Sequence, residues 1–240
     1  MPDPADAAPH PWPGHRAAVR RLLMLAAGAA NAFGFLALGS VFTSVVTANS
    51  VLLGLRLGGG SLAAVGPVAL ALLGYGLGAA AGGLVSAGRG RLPAGGIRAG
   101  LALETALLWL SAGVWPASHQ EPGTGLRTLL LFVLAIALGC QNGSVRVTAG
   151  SDVTTGYLTG LVTSAITALV TRGAFRARDA AVVLTLVAGA LAEGAAHRWL
   201  SWSTPVLPAV LVTAALGATW WRTGRRPVSS PTATGVRSAR

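Results

Sequence analysis

The stretch GSVFTSVVTANSVLLGL, residues 39–55, decides how this chain is read. Its length suits several helical turns, yet Thr43, Ser44, Thr47, Asn49 and Ser50 interrupt an apolar background. Non-helical or polar backbone at membrane depth is tolerated where it is buried in protein or lines a wet cavity, not where it faces lipid. The stretch is therefore either a re-entrant or broken segment, or an awkward span of its own.

The chain around it suits hydrocarbon. Of 240 residues, 52% are hydrophobic and 10% charged, against about 25% charged in an ordinary soluble domain. Apolar stretches at 22–38, 62–87, 99–116, 128–145, 180–196 and 205–221 are close to the ~20 residues that a helix needs to cross a bilayer. A second polar segment, SDVTTGYLTGLVTSAITALVT, occupies 151–171. The expectation is an all-α integral membrane protein with six transmembrane helices plus two polar re-entrant or broken segments. The alternative makes both segments full spans, eight in all, as 4+4.

Arginine placement arbitrates. All eighteen basic residues are Arg, and positive charge collects on the cytoplasmic side. Six spans with a cytoplasmic N-terminus leave Arg56, Arg127 and Arg198 outside, whereas eight spans leave Arg89, Arg91, Arg98, Arg146 and Arg198 there, so six fit better. Trp115, Trp199 and Trp202 then fall at the outer interface, and Trp220 and Trp221 at the inner one. The organisation that follows is a disordered cytoplasmic tail over 1–21, a first membrane repeat over 22–116, an outer loop over 117–127, a second repeat over 128–222 and a basic cytoplasmic tail over 223–240. Ala30-Asn31-Ala32 has the small residues of a signal cleavage site, but its leader is long and Pro-rich, so the first helix is read as uncleaved.

Several function classes are disfavoured. The net charge of +11 lies beside spans and in tails, which suits anionic headgroups better than nucleic acid, since no patch with base-reading residues is visible. Cys140 is the one cysteine, and His10, His15, His119 and His197 are scattered, so neither a disulfide nor a zinc site is expected. GYGLGAAAGG at 74–83 lies inside a span without the Lys of a phosphate loop; its Gly74, Gly78 and Gly82 instead suit close helix approach. No cofactor is expected, and the absence of a nucleophile setting or His-based constellation argues against an enzyme.

The two polar segments belong to an internal repeat. With Ala26 set against Ala137, AAGAANAFGFLALGSVFT aligns with ALGCQNGSVRVTAGSDVT. Gly28 meets Gly139, Asn31 meets Asn142, Gly39 meets Gly150, Ser40 meets Ser151 and Thr43 meets Thr154; after a one-residue slip Thr47 meets Thr159. Three spans per half is an odd number, so the halves face opposite ways, an inverted 3+3 repeat of the kind that recurs in secondary transporters. Gly39 and Gly150 suit a left-handed helix end, with Ser40 and Ser151 capping the next helix and Asp152 in its first turn.

Thr43, Thr47 and Ser50 share a helical face that Asn49 points away from, and Thr155, Thr159, Thr163, Thr167 and Thr171 recur every four residues. Such hydroxyls either bond back to carbonyls and glue helices, or line a cavity. Asn31, Gln141 and Asn142 need partners for donors and acceptors alike, found in one another or in a substrate. The candidate substrate-binding residues are Asn31, Thr43, Thr47, Asn49, Gln141, Asn142, Thr155 and Thr159. Glu104 and Glu193 lie within apolar spans, where a charge is costly unless paired, wet or protonated. Glu193 has His197 and Arg198 nearby for an interfacial pair. Glu104 has no sequence-local partner and is the candidate proton-coupling residue.

AGAANAFGFLALGSVFTSVVTANSVLLG, ALGCQNGSVRVTAG and VTTGYLTG, in that order and spacing, resemble the YoaK family of bacterial membrane proteins, a domain of unknown function, over roughly residues 20–222. The resemblance implies a multi-pass protein of the bacterial inner membrane and supplies no substrate. Relatives tend to read Thr-Gly-Asn at Thr47-Ala48-Asn49, Gln-Asn-Ala at Gln141-Asn142-Gly143, and often Asp at Asn31. If that Asp serves proton coupling in relatives, this chain lacks the step. The reading that joins these points is a small-solute transporter or exporter with both termini cytoplasmic. Its partners are membrane lipids and a small molecule, not nucleic acid, and a homo-oligomer is compatible with the sequence. The runner-up is a non-transporting membrane assembly or stress-related protein whose polar residues stitch helices together.

Overall fold

A computed structural model describes residues 16–60, 62–88, 93–149, 158–173, 175 and 177–220. They form α1 (Arg16–Ala37), α2 (Val46–Gly58), α3 (Leu62–Gly88), α4 (Pro93–Ala117), α5 (Thr124–Ala149), α6 (Leu158–Arg172), α7 (Ala177–Trp199), a 3-10 turn (Ser201–Ser203) and α8 (Val206–Trp220), with no strand among the described residues. Five helices are long and apolar enough to cross a membrane: Ala17–Ala37, Ala63–Gly88, Gly95–Ala117, Thr124–Thr148 and Asp179–Trp199. They coincide with the first five expected spans, and the chain is an all-α membrane protein. The sixth expected span is α8, with 15 described residues. At ~1.5 Å per residue it rises about 22 Å, short of a ~30 Å hydrocarbon core. Because α1 begins at Arg16, Arg20 and Arg21 lie in its first turns rather than in a tail. Gly150, Ser151, Asp152, Thr154, Thr155 and Trp221 lie outside the described residues.

The end of α1 follows the expectation at Gly39 and departs from it at Ser40. Gly39 has φ +109°, a conformation that favours glycine. Ser40 is itself left-handed at φ 55° and donates its N–H to the Phe35 carbonyl at 3.1 Å. It caps no helix: α2 starts at Val46, behind Val45, which makes no side-chain cap. The physical reason is that residues 42–44 are tied to α1 and to Asn49 before the chain can coil again. Thr43 lies in this non-helical run, so it does not share a helical face with Thr47 and Ser50, as the sequence suggested. The far end of α2 returns toward its origin: Arg56 donates to the carbonyls of Gly39 at 3.2 Å and Ala64 at 2.7 Å. The end of α2 thus lies beside the end of α1 and the start of α3.

Glycines set the main helix contacts. α3 packs along α5, and α1 along α7. A Cβ at Gly78 would strike the Ile136 carbonyl and one at Gly82 the Cys140 carbonyl; the same holds for Gly139 against Tyr75, Gly28 against Leu186 and Gly189 against Leu25. Between apolar helices in lipid, close backbone approach replaces the hydrophobic drive as the source of affinity. Positions 78 and 82 meet 136 and 140 in order, so α3 and α5 run parallel.

By contrast, α4 and α8 run antiparallel. Arg98, early in α4, bonds Thr219 and lies 4.5 Å from the Trp220 ring. Trp109 Nε1 donates to Thr213 Oγ1 at 3.0 Å, and Trp115 Nε1, late in α4, donates to the Ser201 carbonyl at 2.8 Å. Phe33 meets Trp115 edge-on at 5.0 Å. Trp115 is therefore buried in the core with Leu38, Leu101, Leu108 and Leu134, rather than serving as an interfacial anchor as expected. Trp199, Trp202 and Trp220 are exposed.

Candidate functional site

Two carboxamides build the break between α1 and α2. Asn31 Nδ2 donates to the Ala27 carbonyl and to Ser44 Oγ, both at 2.8 Å. Its Oδ1 accepts from Thr43 Oγ1 at 3.1 Å and from the Ser44 N–H at 3.0 Å. Both donors and both lone pairs of that amide are thereby used. Asn49, from the first turn of α2, clamps Phe42: its Oδ1 accepts from the Phe42 N–H at 3.1 Å and its Nδ2 donates to the Phe42 carbonyl at 2.6 Å. Asn49 is buried, and its pairing satisfies both peptide groups of half-buried Phe42.

Beside the break lies a cavity of about 750 Å³, within the size range of small-molecule sites. It is walled by Asn31 and Phe35 of α1, Phe42 and Ser44 of the break, Thr47 of α2, Tyr75 and Ala79 of α3, Asn142 and Arg146 of α5, Thr159 of α6, and Leu186 and Ala190 of α7. Of the candidate residues, Asn31, Thr47, Asn142 and Thr159 line it. Thr43 is fully buried and bonds Asn31, Asn49 holds Phe42, and Gln141 is buried with no hydrogen-bond partner at Oε1; none of these three lines the cavity. Asn142 Nδ2 donates to the Leu138 carbonyl at 3.0 Å, repeating the bond from Asn31 to Ala27. Thr163 and Thr171 bond back to the carbonyls of Thr159 and Thr167 at 2.9 and 2.7 Å.

Sequence reasoning missed the aromatic wall and Arg146. Phe35 and Phe42 stack with centroids 4.9 Å apart. Arg146 enters the sequence reading through topology alone, although its place one turn after Asn142 puts both on one helical face.

The two buried carboxylates stand away from the cavity. Glu104 is fully buried in α4, and neither of its oxygens has a hydrogen-bond partner. Cys140 faces the same α4–α5 seam, with Sγ 3.5 Å from the Gly100 carbonyl. Glu193 is likewise fully buried with both oxygens unpartnered, and His197 Nδ1 is unpartnered too. The expected pair of Glu193 with His197 or Arg198 is not formed, because Glu193 turns into the protein while exposed Arg198 lies 5.9 Å from the Trp199 ring. Among the described residues no three His, Cys, Asp or Glu side chains are grouped to hold a metal.

Residues 20–218 match the model of a family described as a protein of unknown function, DUF1275. No curated protein and no solved structure matches the chain.

Proposed function

The chain belongs to the DUF1275 family, to which the YoaK membrane proteins resembled by its motifs also belong, and on that premise we propose that it moves a small solute across the bacterial inner membrane, through a site between two inverted repeats of three spans. The observation that carries this reading is the pairing of the cavity walls. Asn31 with Asn142, Tyr75 with Leu186, and Ala79 with Ala190 all line the cavity, and each pair is equivalent in the register that sets Ala26 against Ala137. Thr47 and Thr159 join them after the one-residue slip.

The helix contacts support the same exchange of halves. Gly28 on Leu186 answers Gly139 on Tyr75, and Gly189 on Leu25 answers Gly78 on Ile136. Likewise α1 with α8 answers α5 with α4, and α2 with α3 answers α6 with α7. Eight straight spans would make α4 and α8 parallel, so their antiparallel course favours halves that face opposite ways. In this reading α2 dips in from the outer side and returns, and α6 is its counterpart from the cytoplasmic side. A site of this kind, between repeats that rock against each other, can open to each side in turn. Both termini are assigned to the cytoplasm, lipid and solute are the partners, and no catalytic step is proposed.

One observation favours the runner-up, a non-transporting assembly or stress-related protein: the amides of Asn31 and Asn49 are directed to their own loop. Flux through proteoliposomes decides between the two. A panel of small solutes is expected to yield at least one taken up saturably, with uptake cut tenfold or more by Asn142→Ala and by Thr47→Leu. Glu104 is assigned proton coupling, so Glu104→Gln is expected to remove the pH dependence of that flux. No saturable uptake by folded protein, or uptake untouched by both cavity changes, overturns the transport site. Unchanged pH dependence makes Glu104 a structural residue.

A further inference from the structure

We propose that the cavity takes a small organic anion, with the guanidinium of Arg146 on its charged group and the rings of Phe35, Phe42 and Tyr75 around an apolar body. The proposal rests on the transport-site reading for the role of the cavity, and adds to it a chemical class of solute.

The repeat itself isolates the residues that give the cavity a direction. Its amide and hydroxyl positions are the same in both halves, Asn31 with Asn142 and Thr47 with Thr159. The register that pairs the asparagines also pairs Phe35 with Arg146, and both line the cavity. At that one pair the halves place a benzyl group and a guanidinium at equivalent positions. The two halves therefore give the cavity unlike walls, aromatic on α1 and cationic on α5, with amide and hydroxyl groups common to both.

Charge favours an anion. Arg146 is the one charged residue among the described residues that line the cavity. Glu104 and Glu193 lie outside the lining, so no described carboxylate is there to receive a cation. A guanidinium presents a planar fork of donors that matches a carboxylate or sulfonate in two parallel bonds, and such charge-assisted bonds are roughly twice as strong as neutral ones. The stacked Phe35 and Phe42 offer flat apolar surface for a ring or short chain, and the Tyr75 ring also lines the wall. A cationic solute would meet Arg146 without a compensating charge. A phospholipid headgroup carries the same anionic chemistry, and Arg146 lies in the last turn of α5, so the test separates a lipid from a free solute.

The probe is radiolabelled benzoate, measured by equilibrium dialysis against the full-length protein in phosphatidylcholine nanodiscs, with benzenesulfonate, benzamide and benzylamine as competitors. Saturable benzoate binding is expected, displaced by benzenesulfonate and not by its neutral or cationic analogues. Arg146→Gln is expected to weaken binding tenfold or more, Arg146→Lys to weaken it less, and Phe35→Ala to weaken it with the charge preference kept. Binding of neither anion, equal displacement by benzamide, or an unchanged affinity in Arg146→Gln overturns the proposal. So does loss of benzoate binding in discs containing phosphatidylglycerol, which assigns Arg146 to a headgroup. The two readings fail separately: benzoate binding through Arg146 without flux removes transport and keeps the anion site, whereas flux of neutral or cationic solutes that Arg146→Gln leaves unchanged does the reverse.

Discussion

A single carboxamide fixes where α2 begins. Phe42 sits in a run without helical partners, and Asn49 supplies its peptide with both an acceptor and a donor. Removing that side chain leaves two peptide groups unmatched in a part-buried setting, where a fully buried group would cost about 1–3 kcal/mol. Asn49→Ala is therefore expected to lower stability by ~2–3 kcal/mol. Thr47 is an exposed residue of the cavity wall, and Thr47→Ala is expected to stay within about 0.5 kcal/mol of the parent. Unfolding in one detergent compares them, and equal midpoints would remove the clamp from Asn49. The sequence flagged Asn31 as a carboxamide in need of partners, but not which partners, and of Asn49 it showed only that it points away from the Thr43, Thr47 and Ser50 face. The bonds of Asn31 reach Thr43 and Ser44, twelve and thirteen residues on, and depend on a bend that no local preference dictates.

Among elements, the legible features were those that depend on hydropathy and glycine spacing. Five apolar stretches became long helices, Gly39 ended α1, and Gly74, Gly78 and Gly82 met α5. The start of α2 was illegible because the serine expected to cap it is drawn into the turn of α1, and a side chain seven residues from Phe42 replaces it. The glycine contacts carry a sharp prediction. A Cβ at Gly78 or Gly189 would overlap a carbonyl oxygen of the facing helix, so the backbones must separate. Gly78→Ala and Gly189→Ala are each expected to cost about 1–3 kcal/mol. At Gly76 and Gly113, helical positions with nothing within 4 Å of an added Cβ, the same change is expected to be neutral or to gain ~0.5–1 kcal/mol from helix propensity. Thermal unfolding of the four variants tests this, and a uniform response across them would show that these glycine contacts are not the ones that hold the helices together.

At the scale of the molecule, the arrangement turns on whether α2 crosses the membrane. Its 13 residues rise about 20 Å at ~1.5 Å each, and Arg56 at its far end bonds Gly39, just past the end of α1. In the proposed arrangement that contact returns the far end of α2 to the side where α1 ends, and every later helix inherits that parity. Arginine counting favours six spans from charge alone, and the Arg56 contact is a separate observation that supports the same proposal. Sulfhydryl labelling from outside intact cells reads the parity directly, through Ala17→Cys at the start of α1, Gly59→Cys after α2 and Ala149→Cys at the end of α5, with buried Cys140 as silent background. If α2 returns, position 59 lies opposite position 17 while 149 lies on the same side as 17, so 59 labels at once and the other two only after permeabilisation. If α2 crosses, 59 joins 17 and 149 moves to the opposite side, and the inverted repeat is lost with them. The relative sides decide the matter whichever face the N-terminus occupies, because parity rather than absolute orientation determines whether the two halves of the cavity wall face each other upside down.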